Sequence, residues 1–291
     1  MSAGYVLHGD IPTLDRPVLV VMLSGWIDAS GAAAAAVAAI DAACNTVPLA
    51  TFDGDAFIDY RARRPTMELR DGVNTRLDWG DIQLKLGADH KGTPVLTLTG
   101  PEPDSQWRRF ARAVTELAIQ LDVYHMVALG AYPFATPHSR ASRISVTSPS
   151  VDVVEALPFI KSTLDVPAGM TAVLEHALTE AGIASLGLWV QVPHYVSAMS
   201  YPGASVALLD GLRAVTGVDI SVGTLAHDAD IQRSRIDQLV AGNDEHGAMV
   251  HQLESAYDLV GEHADTMGST PLPTGDDIAA EFERFLRDQD D

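Results

Sequence analysis

The chain has one cysteine, Cys44. A lone thiol excludes an intrachain disulfide and any zinc site built from several thiolates. Its neighbours Ala42, Ala43 and Val47 predict a buried, small apolar residue rather than a reactive thiolate. Positive charge is also scarce: 19 Lys and Arg stand against 39 Asp and Glu, for a formal net charge of -20. Such a chain repels phosphate backbones and anionic lipid, so it is expected to bind neither nucleic acid nor membrane. No apolar run approaches the roughly 18 residues that a membrane helix needs. The first residues show no cationic segment leading into an apolar stretch and a small-residue cleavage site. A soluble, cytoplasmic protein is expected. Catalytic signatures are equally thin. Ser24 precedes Gly25 without a Gly-x-Ser-x-Gly elbow. Residues 24–31 lack the lysine of a phosphate loop, and no His-Glu-x-x-His pattern occurs. No cofactor and no metal are therefore expected.

What the chain does have is a repeated arrangement. Four apolar runs, 18–23, 95–98, 126–129 and 186–192, each end in a polar or aromatic cluster. The clusters are Ser24-Gly25-Trp26-Ile27-Asp28, Gly100-Pro101-Glu102-Pro103-Asp104, Gly130 with Pro137-His138-Ser139-Arg140, and Pro193-His194-Tyr195. Short continuous apolar runs bounded by turn residues predict strands buried on both faces of a parallel sheet. Ligand crevices in such sheets lie outside the carboxyl ends of the strands. The candidate crevice is therefore Asp28, Glu102, Asp104, His138, Arg140, His194 and Tyr195.

Between these runs the spacing predicts helices. Residues 30–43 are alanine-rich. Residues 106–121 place Phe110, Val114, Leu117, Ala118 and Leu121 on one face. Residues 170–181 and 204–216 are followed by Gly182 and Gly217 as terminating glycines. Residues 49–52 predict a short strand, residues 67–86 an antiparallel excursion around Asp71-Gly72, and residues 151–159 fit no single element. After residue 225 strands cease, and Ile236, Leu239, Val240, Val250, Leu253, Tyr257 and Val260 keep helical spacing. Gly242-Asn243 and Gly247 predict the turn of a helical hairpin. The expected architecture is a three-layer α/β core with a mostly parallel sheet over 1–225, a helical hairpin over 226–265, and an acidic linker and short terminal helix over 266–291.

Each candidate residue admits a chemical and a structural role. Glu102 and Asp104 have the pairing of a general acid and base or of a hard-cation site. They equally suit capping of the helix that starts near Ser105. His138 and Arg140 suit a carboxylate or phosphate ligand, or a loop fastened to carboxylates such as Asp28 or Glu102. His194 suits a general base or a hydrogen bond to backbone. Trp107 is expected to pack.

The four clusters, in this order and spacing, resemble the PAC2 family, which includes the proteasome assembly chaperone 2 proteins. Gly169-Met170, Pro202-Gly203-Ala204, Leu253-Glu254 and Tyr257-Asp258 add to the resemblance, which spans about residues 5–260. The resemblance implies a phosphorylase/hydrolase-like α/β fold and a tendency to form homo-oligomers, with a protein partner, proteasome-related in some members. It implies no settled activity. Two departures stand out: Ala141 follows Arg140 where the family pattern has proline, and the last residues, Gln289-Asp290-Asp291, lack the hydrophobic-tyrosine tail of proteasome-docking members. The leading expectation is an oligomeric, non-catalytic binding or assembly protein. The alternative is a hydrolase or phosphorylase acting on a small anionic substrate in the crevice. An ATP-dependent carboxylate–amine ligase ranks behind both.

Overall fold

In the computed structural model, which describes residues 4–264, the chain runs through β1 (Tyr5–Leu7), β2 (Val18–Ser24), α1 (Ala32–Cys44), β3 (Val47–Phe52), α2 (Gly54–Phe57), β4 (Thr66–Arg70), β5 (Val73–Asp78), β6 (Gln83–Ala88) and β7 (Pro94–Pro101). It continues through α3 (Trp107–Gln120), β8 (His125–Phe134), β9 (Ile144–Thr147), α4 (Val151–Glu155), α5 (Met170–Glu180), β10 (Ala184–Pro193), α6 (Pro202–Thr216), α7 (Leu225–Ala241) and α8 (Asp244–Ala264). The expected linker and terminal helix over 266–291 lie outside the described residues.

Eight strands form one sheet in the order β1-β3-β6-β7-β2-β8-β10-β9. The four apolar runs are its centre: β7, β2, β8 and β10 are parallel neighbours. They have side chains buried on both faces because both faces are covered. One face packs α1, α6 and α7 around Val20, Val127, Leu188 and Leu208. The other packs α3 and α5 around Leu19, Leu96, Phe110 and Leu174. The flanks differ from the mostly parallel expectation: β1, β3, β6 and β9 all pair antiparallel. The excursion over 67–86 divides. β4 and β5 form a separate two-stranded ribbon turning at Asp71-Gly72, both at positive φ, while β6 joins the main sheet. Residues 151–155 become a short helix whose first turn is capped by Ser150, accepting from the Val153 N–H.

The helix endings follow the glycine signals, with Gly182 and Gly217 at φ of 85° and 76°. In the C-terminal hairpin only Gly242-Asn243 forms the turn. Gly247 sits inside α8, where its N–H bonds the Asn243 carbonyl.

Under α5 lies a carboxyl that the sequence does not single out. Glu175 is buried against β10 and accepts from the Thr147 hydroxyl at 3.2 Å. Gly187 makes room for it, since a Cβ there would stand 2.7 Å from Glu175 Oε1. Burial pushes the Glu175 carboxyl up to about 7, from 4.5. The folded state therefore keeps a proton that the unfolded chain releases. The stabilisation is complete below about pH 4.5 and is lost as the pH rises towards 7. Glu175→Gln is expected to gain about 3 kcal/mol over the wild type at pH 8 and nothing at pH 4, in paired urea titrations. Equal pH slopes in the two proteins would refute this.

Candidate functional site

Because β7, β2, β8 and β10 are parallel, their carboxyl ends lie along one edge of the sheet. All seven candidate residues follow those ends. The structure divides them by partner.

On the β7 and β2 side the carboxylates serve neighbouring backbone. Glu102 is buried, and its carboxylate accepts from the Met170 N–H at the start of α5. Its own N–H bonds the Ser24 carbonyl at 2.6 Å, tying the ends of β7 and β2 together. Asp104 accepts the Arg63 Nε–H at 2.9 Å and the Asp59 N–H at 2.9 Å. The capping role falls on a different helix: Glu102 accepts from the first N–H of α5, and α3, with Gln106 at its N-cap, has no side-chain cap. Asp28 caps α1, accepting from the Ala33 and Ala34 N–H groups at 2.8 and 3.1 Å. Burial raises the Asp28 pKa even so, against the lowering effect of those two N–H groups. Trp107 packs as expected, with its indole N–H on the Pro103 carbonyl.

On the β8 and β10 side the candidates face the hairpin of α7 and α8. His138 is buried, with Nε2 at 3.0 Å from Asp237 Oδ1 and Nδ1 at 2.6 Å from the Tyr195 hydroxyl. With Nε2–H donating to Asp237, Nδ1 accepts from Tyr195, whose oxygen also accepts the His138 N–H at 2.8 Å. The hydroxyl thus donates one bond and accepts another, and burial pushes it up to about 12. Arg140 grips Asp258 through a two-pronged fork, Nε at 2.9 Å and Nη2 at 2.8 Å, and reaches Glu254 at 3.2 Å. Ser139 donates to Glu254. These bonds hold both acids below the usual carboxylate range, Glu254 chiefly through Ser139 and Asp258 chiefly through Arg140. Arg143 lies 3.6 Å over the Tyr257 ring and bonds the Tyr257 carbonyl. Tyr257 returns a hydroxyl bond to the Ala141 carbonyl, and Arg233 donates to that of Ser139. His194 is exposed in a single 3-10 turn, edge-on to Tyr195 at 5.3 Å.

The expectation that Asp28 or Glu102 fastens the His138–Arg140 loop is therefore replaced. Asp237, Glu254 and Asp258 do so, from the far end of the chain. Sequence reasoning used Glu254 and Asp258 only as family signals and missed Asp237 and Arg233. The available signal was an excess of acidic residues on a helix with few apolar positions. Among the described side chains of those helices only Ile236 and Val250 are buried apolar residues, so polar contacts carry much of their attachment.

Chemically, the edge is a set of satisfied clamps. Among the described residues no group of three or more His, Cys, Asp or Glu can hold a metal ion. A void of about 10 Å³ lined by Leu19, Phe52, Leu96 and Leu121 is apolar and lies in the core, away from the edge. No described helix is long and apolar enough to cross a membrane.

No curated protein matches the chain. Solved structures do. A Mycobacterium tuberculosis protein of unknown function is 32% identical with a TM-score of 0.82, over 91% of this chain and 92% of that one. A Corynebacterium glutamicum protein of unknown function is 29% identical with a TM-score of 0.82, over 88% and 97%. A M. tuberculosis proteasome-assembly chaperone homologue is 30% identical with a TM-score of 0.74, over 80% and 99%. The PAC2 family model matches residues 22–240. Taken with the parallel core and its four strand-end motifs, this shows that the chain belongs to the PAC2 family.

Proposed function

We propose that this chain is a non-catalytic, oligomeric binding protein of the assembly-chaperone kind, with a protein as its partner. The observation that supports the reading is that the edge spends its chemistry inside the molecule. The Arg140 fork is filled by Asp258 and Glu254, the His138 ring by Asp237 and Tyr195, and the Glu102 and Asp104 carboxylates by backbone N–H groups and Arg63. A general acid–base pair needs a group free to exchange a proton with substrate. Of the titratable candidates, His194 has the most open ring. Exposed Trp26 and Ile27, beside the β2 end, suit contact with a protein better than chemistry. The M. tuberculosis proteasome-assembly chaperone homologue supports a proteasome-related client.

The purified protein is expected to turn over no member of ester, nucleoside and phosphoester panels, and to sediment as a homo-oligomer at micromolar concentration. A monomer would remove the oligomer from the reading. Turnover that His194→Ala abolishes, with melting temperature and mass unchanged, would replace the reading with the hydrolase or phosphorylase.

A further inference from the structure

The ribbon of β4 and β5 stands apart from the main sheet and pairs only with itself. Its two faces differ. Met67 and Leu77 are directly opposed, and Leu69 follows Met67 on the same face. Glu68, Arg70 and Arg76 take the opposite face, where Arg70 pairs with Glu68. An apolar face normally meets a core, yet Met67, Leu69 and Leu77 are 50%, 51% and 43% exposed. A lone two-stranded ribbon is marginal in water, so this face calls for a cover.

The charges at the root of the ribbon indicate what covers it. Tyr60 precedes the ribbon and meets Trp79, which follows it, edge to face with ring centroids 4.9 Å apart. The Tyr60 hydroxyl rests on Gly54, where a Cβ would stand 2.3 Å away. Asp53 and Asp55 flank that glycine, and Asp81 comes two residues after Trp79. Burial raises the Tyr60 pKa, and the charges of Asp55, Asp81 and Asp53 raise it further, so all three carboxylates stand near the hydroxyl. Arg61 and Arg64 come just after Tyr60. Arg63 is taken by Asp104, but Asp53, Asp55, Asp81, Arg61 and Arg64 form no ion pair among the described residues.

One root thus carries unpaired charges of both signs, next to an uncharged strip. A partner of a single sign would match only half of it. A second copy turned about a twofold axis matches both halves, because its arginines meet the first copy's carboxylates and its carboxylates meet the first copy's arginines. The uncharged strips then face each other, where two chains of net charge -20 bring no like charges together.

We propose that the β4–β5 ribbon is a twofold interface between two copies of this chain. Met67, Leu69 and Leu77 pack on their counterparts, and Arg61 and Arg64 of each copy pair with Asp53, Asp55 and Asp81 of the other. This rests on the oligomeric reading above and names its surface.

Sedimentation equilibrium of the full chain tests this with three double variants. Arg61→Asp with Arg64→Asp leaves the root acidic, and Asp55→Arg with Asp81→Arg leaves it basic. All four of these side chains are exposed, so each copy is expected to keep the wild-type circular dichroism. Each variant alone is expected to dissociate at least about tenfold more readily than the wild type. An equimolar mixture of the two is expected to recover wild-type association to within about threefold, since opposite charges then face each other on both halves. Leu69→Asp with Leu77→Asp is expected to weaken association by at least about tenfold as well. A wild-type monomer at micromolar concentration would overturn both this interface and the oligomeric reading. A wild-type oligomer whose mass persists in any of the three variants would overturn this interface alone, and so would a mixture that stays monomeric.

Discussion

Gly100→Ala is expected to destabilise the protein by about 4 kcal/mol, the sum of backbone strain and forced overpacking. Gly100 has a φ of 135°, a region that disfavours any residue with a side chain. A Cβ there would meet backbone rather than a side chain that can swing away: 2.5 Å to the Asp81 carbonyl oxygen and 2.7 Å to the Ile82 Cα. Relief would require β7 to part from the segment entering β6, next to the bond between the Glu102 N–H and Ser24 that joins β7 to β2. In a chain of this size the loss should lower the melting temperature by about 10 °C. A change under about 2 °C would show that this backbone yields freely and that the glycine is not a structural requirement of the motif.

His138→Ala is expected to cost about 3 kcal/mol, through two ring hydrogen bonds and the cavity left by a buried imidazole. Its distribution matters as much as its size. The ring joins the core, through Tyr195, to α7, through Asp237. Amide protection over residues 225–264 should therefore fall before that of the central strands, and the hairpin should loosen as a unit. Tyr195→Phe should cost less, about 1 kcal/mol, because it removes the hydroxyl and leaves the imidazole on Asp237. A hairpin that keeps wild-type protection in His138→Ala would mean that Arg140, Arg143 and the buried Ile236 and Val250 hold it unaided.

The two substitutions probe features of different legibility. Gly100 was marked in the sequence, because an apolar run that stops at Gly-Pro announces a strand end. The carboxylate partners of His138, Ser139 and Arg140 were not. Asp237 lies 99 residues away, and Glu254 and Asp258 still further along the chain. Local periodicity carries no information about which carboxylate a loop cation meets.

The same division runs through the fold. Runs 18–23, 95–98, 126–129 and 186–192 could be read as buried strands because burial on both faces requires uninterrupted apolar residues. Helix faces such as Phe110, Val114, Leu117 and Ala118 could be read because 3.6-residue spacing is a local property. Strand order could not be read, nor could the antiparallel flanks made by β1, β3, β6 and β9, since pairing depends on edges that meet only when the chain has folded. β1 and β9, with three and four residues, are too short to leave a periodic signal.

By itself, then, the sequence determined the layered α/β class, the common edge for the four motifs, and the exclusion of disulfide and multi-thiolate chemistry. The tertiary structure alone decided what the motif residues do. It assigned Glu102 to α5 rather than α3, and His138 and Arg140 to the C-terminal hairpin rather than to Asp28 or Glu102. It also left the β4–β5 ribbon outside the main sheet. The reason is physical: whether a charged side chain is a free reagent or a fastener depends on which opposite charge arrives beside it, and that is set by how distant segments pack.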